Sequence, residues 1–243
     1  SKEGERSQLL MTLELNALIK GARQAGVRHF TVCEAHPFNK KRLIKGLKIV
    51  HNLDLLSSCN YLAFVGQHSR AGVIDGVLSH TGSARSILRL RINNIEVGEI
   101  GYNAALAGYY CIPTIFVSGD LAATEEAHKL IPNIETVAVS EGLGNHSAIC
   151  LAPQKVHTLI SEGIRRAIER RKTIKPLSFG EPVTFEMTMR YPAQADRMCL
   201  ISHVIRKDSR TIMFSCKDFL EAYKMFLVVN LATRWWDSRK EAK

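Results

Sequence analysis

Several patterns that mark particular chemistries are missing from this sequence. It has no H-E-x-x-H and no C-x-x-C, so neither a metalloprotease helix nor a clustered-cysteine metal site is written into it. G-x-x-x-x-G-K-[ST] is absent, which excludes a P-loop nucleotide site, and Ser118 lies in no G-x-S-x-G elbow. No apolar run reaches the ~20 residues that a membrane helix needs, and no signal peptide is read at the start. The cysteines (Cys33, Cys59, Cys111, Cys150, Cys199 and Cys216) are scattered, several of them in apolar runs. They read as reduced core residues, which points to a cytoplasmic location. Repeats and low-complexity tracts are also lacking. With 46% hydrophobic and 23% charged residues, a disordered chain is excluded.

What is present is 243 residues, enough for one large α/β domain or two small ones around a core that needs no staples. The formal charge of +10 invites a polyanion partner, but it is spread unevenly. Residues 1–50 carry +6, residues 51–150 carry −4 and residues 151–243 carry +8. A basic run is usually a solvated face, and the acidic middle is the part suited to a cation. No aromatic-rich basic motif accompanies the basic flanks. The expectation is therefore no nucleic acid and no membrane.

Residues 7–25 have the apolar spacing of an amphipathic helix, with Gly26 as its stop. VRHFTVCEAH (27–36) and YLAFVGQH (61–68) read as strands that end in polar residues. ILRLRI (87–92), Asn93-Asn94 and IEV (95–97) read as a hairpin, because Asn tolerates positive φ. Then follow a small-residue helix (98–111), a strand (113–120), a helix (123–131), a strand (135–139) and a long amphipathic helix (153–172). Beyond Pro176, strands at 181–190 and 210–216 precede a closing helix at 217–236. The expected fold is α/β: a mainly parallel sheet flanked by helices, residues 1–175, with a smaller C-terminal α+β lobe, residues 176–243.

In open parallel sheets ligands bind beyond the carboxyl ends of the strands. Glu34-Ala35-His36 and Gly66-Gln67-His68 end two such strands, His80 follows in VLSHT, and Glu99 opens the small-residue helix. Imidazoles and a carboxylate suit zinc, provided the second nitrogen of each ring is held by a partner. Glu34 or backbone carbonyls are available for that. The glycines of the 66–72 segment would let the backbone approach a ligand. His29, His51, His128, His146, His157 and His203 lack this context and read as structural or exposed. Asp120, in VSGD, reads as a turn residue, and the basic 165–175 stretch suits a helix C-terminus.

EAHPFNKKRLI, FVGQHSRAGVIDGVLSHT, NNIEVGEIGYNAALAGYYCIPTIFVSGD and TFEMTMRYPAQAD together resemble the DppA-type zinc D-aminopeptidases, in the same order and over most of the chain. The resemblance implies a cytoplasmic hydrolase of short peptides with N-terminal D-amino acids such as D-Ala. It also implies two zinc ions per subunit and a homo-oligomer, a decamer of two stacked pentameric rings. His36 matches the histidine of the family D-A-H-G motif, a ligand of one zinc. His68 matches the G-Y-H histidine and Glu99 the V-G-E glutamate, which bind the other. His80 matches the L-D-H-T histidine, proposed to act in catalysis. Glu34, Pro37 and Gln67 replace a family aspartate, glycine and tyrosine. The family's D-x-E strand does not precede Ser1, and the expectation is that a fuller protein carries it.

The resemblance implies metal-assisted amide hydrolysis, in which His80 acts as base, acid or nucleophile. The alternatives are another metal-dependent amidohydrolase on the same scaffold, a basic polyanion-binding protein, or a degenerate member kept for assembly.

Overall fold

The structure is a computed structural model that describes residues 2–34, 38–50 and 56–238. His36 and His51 lie outside the described residues. In chain order the elements are α1 (Lys2–Gln24), β1 (Thr31–Cys33), β2 (Lys48–Val50), β3 (Leu62–Gln67), β4 (Ile87–Ile92), β5 (Ile95–Glu96), α2 (Glu99–Tyr109), β6 (Thr114–Asp120), α3 (Leu121–Leu130), β7 (Glu135–Gly142), β8 (Ala148–Cys150), α4 (Pro153–Arg170), β9 (Val183–Met189), α5 (Pro192–Met198), β10 (Ile205–Arg206), β11 (Thr211–Cys216) and α6 (Phe219–Ser238).

The expected parallel sheet is present. β3, β6 and β7 pair in parallel in the order β3-β6-β7, and β8 closes the edge antiparallel to β7. β6 is buried at every position, as a strand covered on both faces must be. Phe116 points towards Gly163 of α4, whereas Gly119 points towards Ala123 of α3. Because side chains alternate along a strand, α4 and α3 lie on opposite faces. α1 packs with α4, and α2 with α3. α1 crosses α4 so closely that a Cβ on Gly21 would stand 2.3 Å from the Ser161 carbonyl oxygen.

A second sheet, antiparallel and five-stranded, runs β10-β11-β9-β4-β5. The hairpin read from 87–97 belongs to it: β4 pairs with β9 as well as with β5. Its two-residue turn has φ +46 at Asn93 and +68 at Asn94, the left-handed pair that a tight hairpin requires. Phe185 packs against both Phe214 and Phe226, its ring centroid 5.5 Å from each.

α2 sits between the two cores. Ile100 and Ala104 join the parallel-sheet core, while Tyr102, Ala105 and Leu106 join the antiparallel-sheet core. Its small residues permit this: at Gly108 a Cβ would meet the Leu177 carbonyl oxygen at 1.8 Å.

Three sequence readings are corrected. Among the described residues, the strand read at 27–36 is a ladder only at 31–33, paired with β2, which carries no strong pattern of its own. The cysteines are free thiols as expected, but none is fully buried: Cys33, Cys111 and Cys150 are exposed and Cys59 is half-buried, while the half-buried Cys199 and Cys216 pack against the antiparallel-sheet core. The strand read at 135–139 runs on to Gly142, because β8 extends its pairing. No described helix is long and apolar enough to cross a membrane.

Burial pushes the Glu14 carboxyl on α1 up to about 7. The folded chain then keeps a proton that the unfolded chain loses near the ordinary carboxylate value, so unfolding releases it and rising pH favours unfolding. Stability should fall from about pH 4.5 to about pH 7 on this account. Glu14→Gln is expected to stabilise the protein by about 2 kcal/mol at pH 8, discounted for partial exposure, and by nothing at pH 4. Chemical denaturation at the two pH values checks this, and an equal effect at both would refute it.

Candidate metal centre

β3 delivers His68 at its carboxyl end, the loop that follows carries His80, and Glu99 is the first residue of α2. The three converge. Glu99 Oε1 lies 3.9 Å from His68 Nε2 and 3.8 Å from His80 Nε2. The two imidazoles stack with centroids 3.9 Å apart and planes 20° from parallel. All three donor atoms lie within 4.8 Å of one another, and each residue is half-buried.

The ring nitrogens turned away from Glu99 are held by main-chain carbonyls. His68 Nδ1 is 3.0 Å from the Ser69 oxygen, and His80 Nδ1 is 2.8 Å from the Leu78 oxygen. A carbonyl only accepts, so each Nδ1 carries the hydrogen, and each Nε2 faces Glu99 as the nitrogen available to a metal. This is the orienting contact that a metal-ligating imidazole requires. Of the two partners open to the sequence reading, backbone carbonyls take this role, while Glu34 pairs with Lys40 at 2.9 Å.

Glu99 Oε1 also accepts from the Gly82 amide at 3.0 Å. Gly82 has φ +66, and a Cβ there would press on the Asn230 amide of α6 at 3.2 Å. The loop around His80 is held from several sides. Leu78 is in the left-handed region with φ +51, a costly conformation for a branched side chain. Its amide donates to the Asn145 carbonyl at 2.8 Å, and the Asn145 side chain donates to Ser79 Oγ at 3.1 Å. Asp120, read from the sequence as a turn residue, caps α3 through the Ala123 amide and also accepts from the Val77 amide at 2.7 Å.

The sequence reading did not single out Asn103, Tyr223 or Glu126. Asn103 follows Glu99 by one helical turn and accepts from the Tyr223 hydroxyl at 3.2 Å. Burial, with the nearby Cys33 and Glu99, pushes that hydroxyl up to about 12, so it stays a donor. The spacing of four from Glu99 was a usable signal for Asn103. Tyr223 and Glu126 have no local signal.

The donor set fits zinc. Two imidazole nitrogens and one carboxylate oxygen are ordinary zinc ligands. Bonds of about 2.0–2.1 Å would hold such donors about 3.3 Å apart; the two separations from Glu99 Oε1, 3.9 and 3.8 Å, and the 4.8 Å bound on the whole set call for an inward movement of the side chains. A separate cavity of about 250 Å³ lies by Gly108, Leu177 and Phe219 at the far end of α2, away from these donors.

Fold and site together define an α/β protein in which nitrogen and oxygen donors able to hold a divalent cation gather at the carboxyl edge of a parallel sheet, an arrangement suited to hydrolysis. The D-aminopeptidase family model matches residues 1–228, and the chain belongs to that peptidase family. The D-aminopeptidase of Bacillus subtilis (strain 168) is 31% identical over 240 residues, covering 93% of this chain and 86% of that protein. A solved structure, the Zn-dependent D-aminopeptidase DppA from Bacillus subtilis, described as a self-compartmentalizing protease, matches with a TM-score of 0.89. It is 30% identical, over 95% of this chain and 88% of that one.

Glu99→Gln is expected to weaken zinc binding by more than about a hundredfold, beyond the ~10–100-fold typical of an outer-shell partner. Competition with a chromophoric chelator measures it, and an unchanged dissociation constant would remove Glu99 from the ligand set.

Proposed function

We propose that this chain is a zinc-dependent aminopeptidase that hydrolyses short peptides with N-terminal D-amino acids such as D-Ala. The observation that carries the reading is the convergence of His68 Nε2, His80 Nε2 and Glu99 Oε1, with both Nδ1 atoms pinned to carbonyls, in a chain of the D-aminopeptidase family.

Bound at these donors, zinc supplies polarisation of an amide carbonyl and water acidified to a pKa of about 7. His68 and Glu99 are its proposed protein ligands. His68 is oriented by the Ser69 carbonyl, and Glu99 by the Gly82 amide. His80 assists: its Nε2 accepts a proton from the attacking water and returns it to the leaving amine, while Leu78 holds the ring through Nδ1. The near-equal distances of the two imidazoles from Glu99 Oε1 favour a second reading, in which His80 is a third ligand.

Two zinc ions per subunit are proposed. The second would use His36 with the carboxylates of a D-x-E segment, a pattern absent from these 243 residues. A homo-oligomer, a decamer of two pentameric rings, is proposed with it, the 176–243 lobe packing between subunits. The relative described as self-compartmentalizing supports an assembly of this kind. The free thiols support a cytoplasmic location.

Purified protein loaded with zinc should release D-Ala from D-Ala peptides and leave their L counterparts intact. Turnover of L-peptides or simple amides alone would make it a different amidohydrolase, and no turnover of any peptide would refute the proposal. His80→Ala should cost about 10²–10⁴-fold in turnover with zinc content near normal. Loss of zinc in that variant would make His80 a ligand.

A further inference from the structure

His68 and Glu99 come from segments far apart in the chain, and their donor atoms must nevertheless meet. Glu126, buried on α3, joins the two segments. Its Oε2 accepts from the Arg70 amide at 2.7 Å, two residues beyond His68. Its Oε1 accepts from the Gly98 amide at 2.8 Å, immediately before Glu99. The junction has no slack. A Cβ on Gly98 would stand 2.7 Å from Glu126 Oε1, 2.8 Å from Arg70 Cβ and 2.9 Å from Arg70 Cα. The Arg70 guanidinium turns elsewhere, to Glu96 at 3.4 Å and to the Ala71 carbonyl at 3.1 Å. Glu126 is therefore held by two backbone amides, one from each ligand-bearing segment.

A carboxylate is the side chain that this junction needs. Two donors from different directions require two acceptor oxygens, and the amide of Gln would set an N–H against one of them. Burial pushes the Glu126 carboxyl up, and the two backbone hydrogen bonds oppose this.

We propose that Glu126 is a positioning residue for the metal centre, fixing the distance between His68 and Glu99 before an ion binds. The inference rests on the reading of His68 and Glu99 as zinc ligands. Asp120 acts in parallel on the outer loop, through Val77. α3 thus serves as the template for both loops, although neither carboxylate touches the donor atoms.

The test uses the full chain. Glu126→Gln should raise the zinc dissociation constant about 10–100-fold and alter the visible band of the cobalt-substituted protein, with Glu126→Asp intermediate. Phe214→Leu, in the other core, should lower Tm and leave both metal readouts unchanged. In the metal-free wild type, the Arg70 and Gly98 amides should already be protected from hydrogen exchange. Wild-type zinc affinity and cobalt spectrum in Glu126→Gln would overturn the proposal. So would Arg70 and Gly98 amides that exchange freely until metal is added, a measurement that stands even if Glu126→Gln does not fold. A wild type that binds no zinc is a different failure, that of the metal reading itself.

Discussion

The burial of α2 on two faces is the constraint from which the rest of the molecule follows. One stripe of this helix completes the core of the parallel sheet and the other completes the core of the antiparallel sheet. A helix gripped in this way cannot slide or rotate without opening both cores. Its first residue is Glu99, so the position of the carboxylate inherits the rigidity of the whole fold. The helix N-terminus also offers the partial positive charge that steadies an acidic residue there. Small side chains are the condition for the grip: Gly101 and Gly108 stand where any side chain would strike a neighbour.

The loops that carry the histidines are less regular, and they are tied down by polar contacts instead of apolar ones. Glu126, Asp120 and Asn145 hold backbone groups between Arg70 and Ser79. The Ser69 and Leu78 carbonyls then set the tautomer of each imidazole. Each layer fixes the next, from buried core to helix terminus, from helix to loop, and from loop to ring nitrogen. The result is a set of donor atoms brought together, with each ring orientation already fixed. A site prepared in this way spends little of its binding energy on ordering the protein.

Much of this was legible before any coordinates. Apolar runs ending in Gly-Gln-His and Ser-Gly-Asp marked β3 and β6, and Asn93-Asn94 marked the hairpin. His68, His80 and Glu99 stood out only in company: each alone reads as a surface or capping residue, and the resemblance to the zinc D-aminopeptidases gave them their roles. The short elements β2, β8, α5 and β10 were not legible, since each is set by a neighbour's pairing or packing and has no periodicity of its own. The partnership of the hairpin with β9 was equally hidden, because strand pairing across a long stretch of chain leaves no local trace. The cysteines were misread for a related reason: an apolar neighbourhood in sequence does not say which side of a strand faces the core.

The sequence by itself determined the α/β alternation, the residue types able to hold a divalent cation, and the glycines and asparagines that permit the turns. These depend on local periodicity, backbone sterics and donor chemistry, all of which are properties of short segments. Only the tertiary structure decided that the two imidazoles stack and share one carboxylate oxygen, that main-chain carbonyls hold their Nδ1 atoms, and that Glu126 spans the segments that carry His68 and Glu99. Those outcomes depend on distances between residues far apart in the chain. Such distances are fixed by the packing of two cores around one helix, and no window of sequence contains that information.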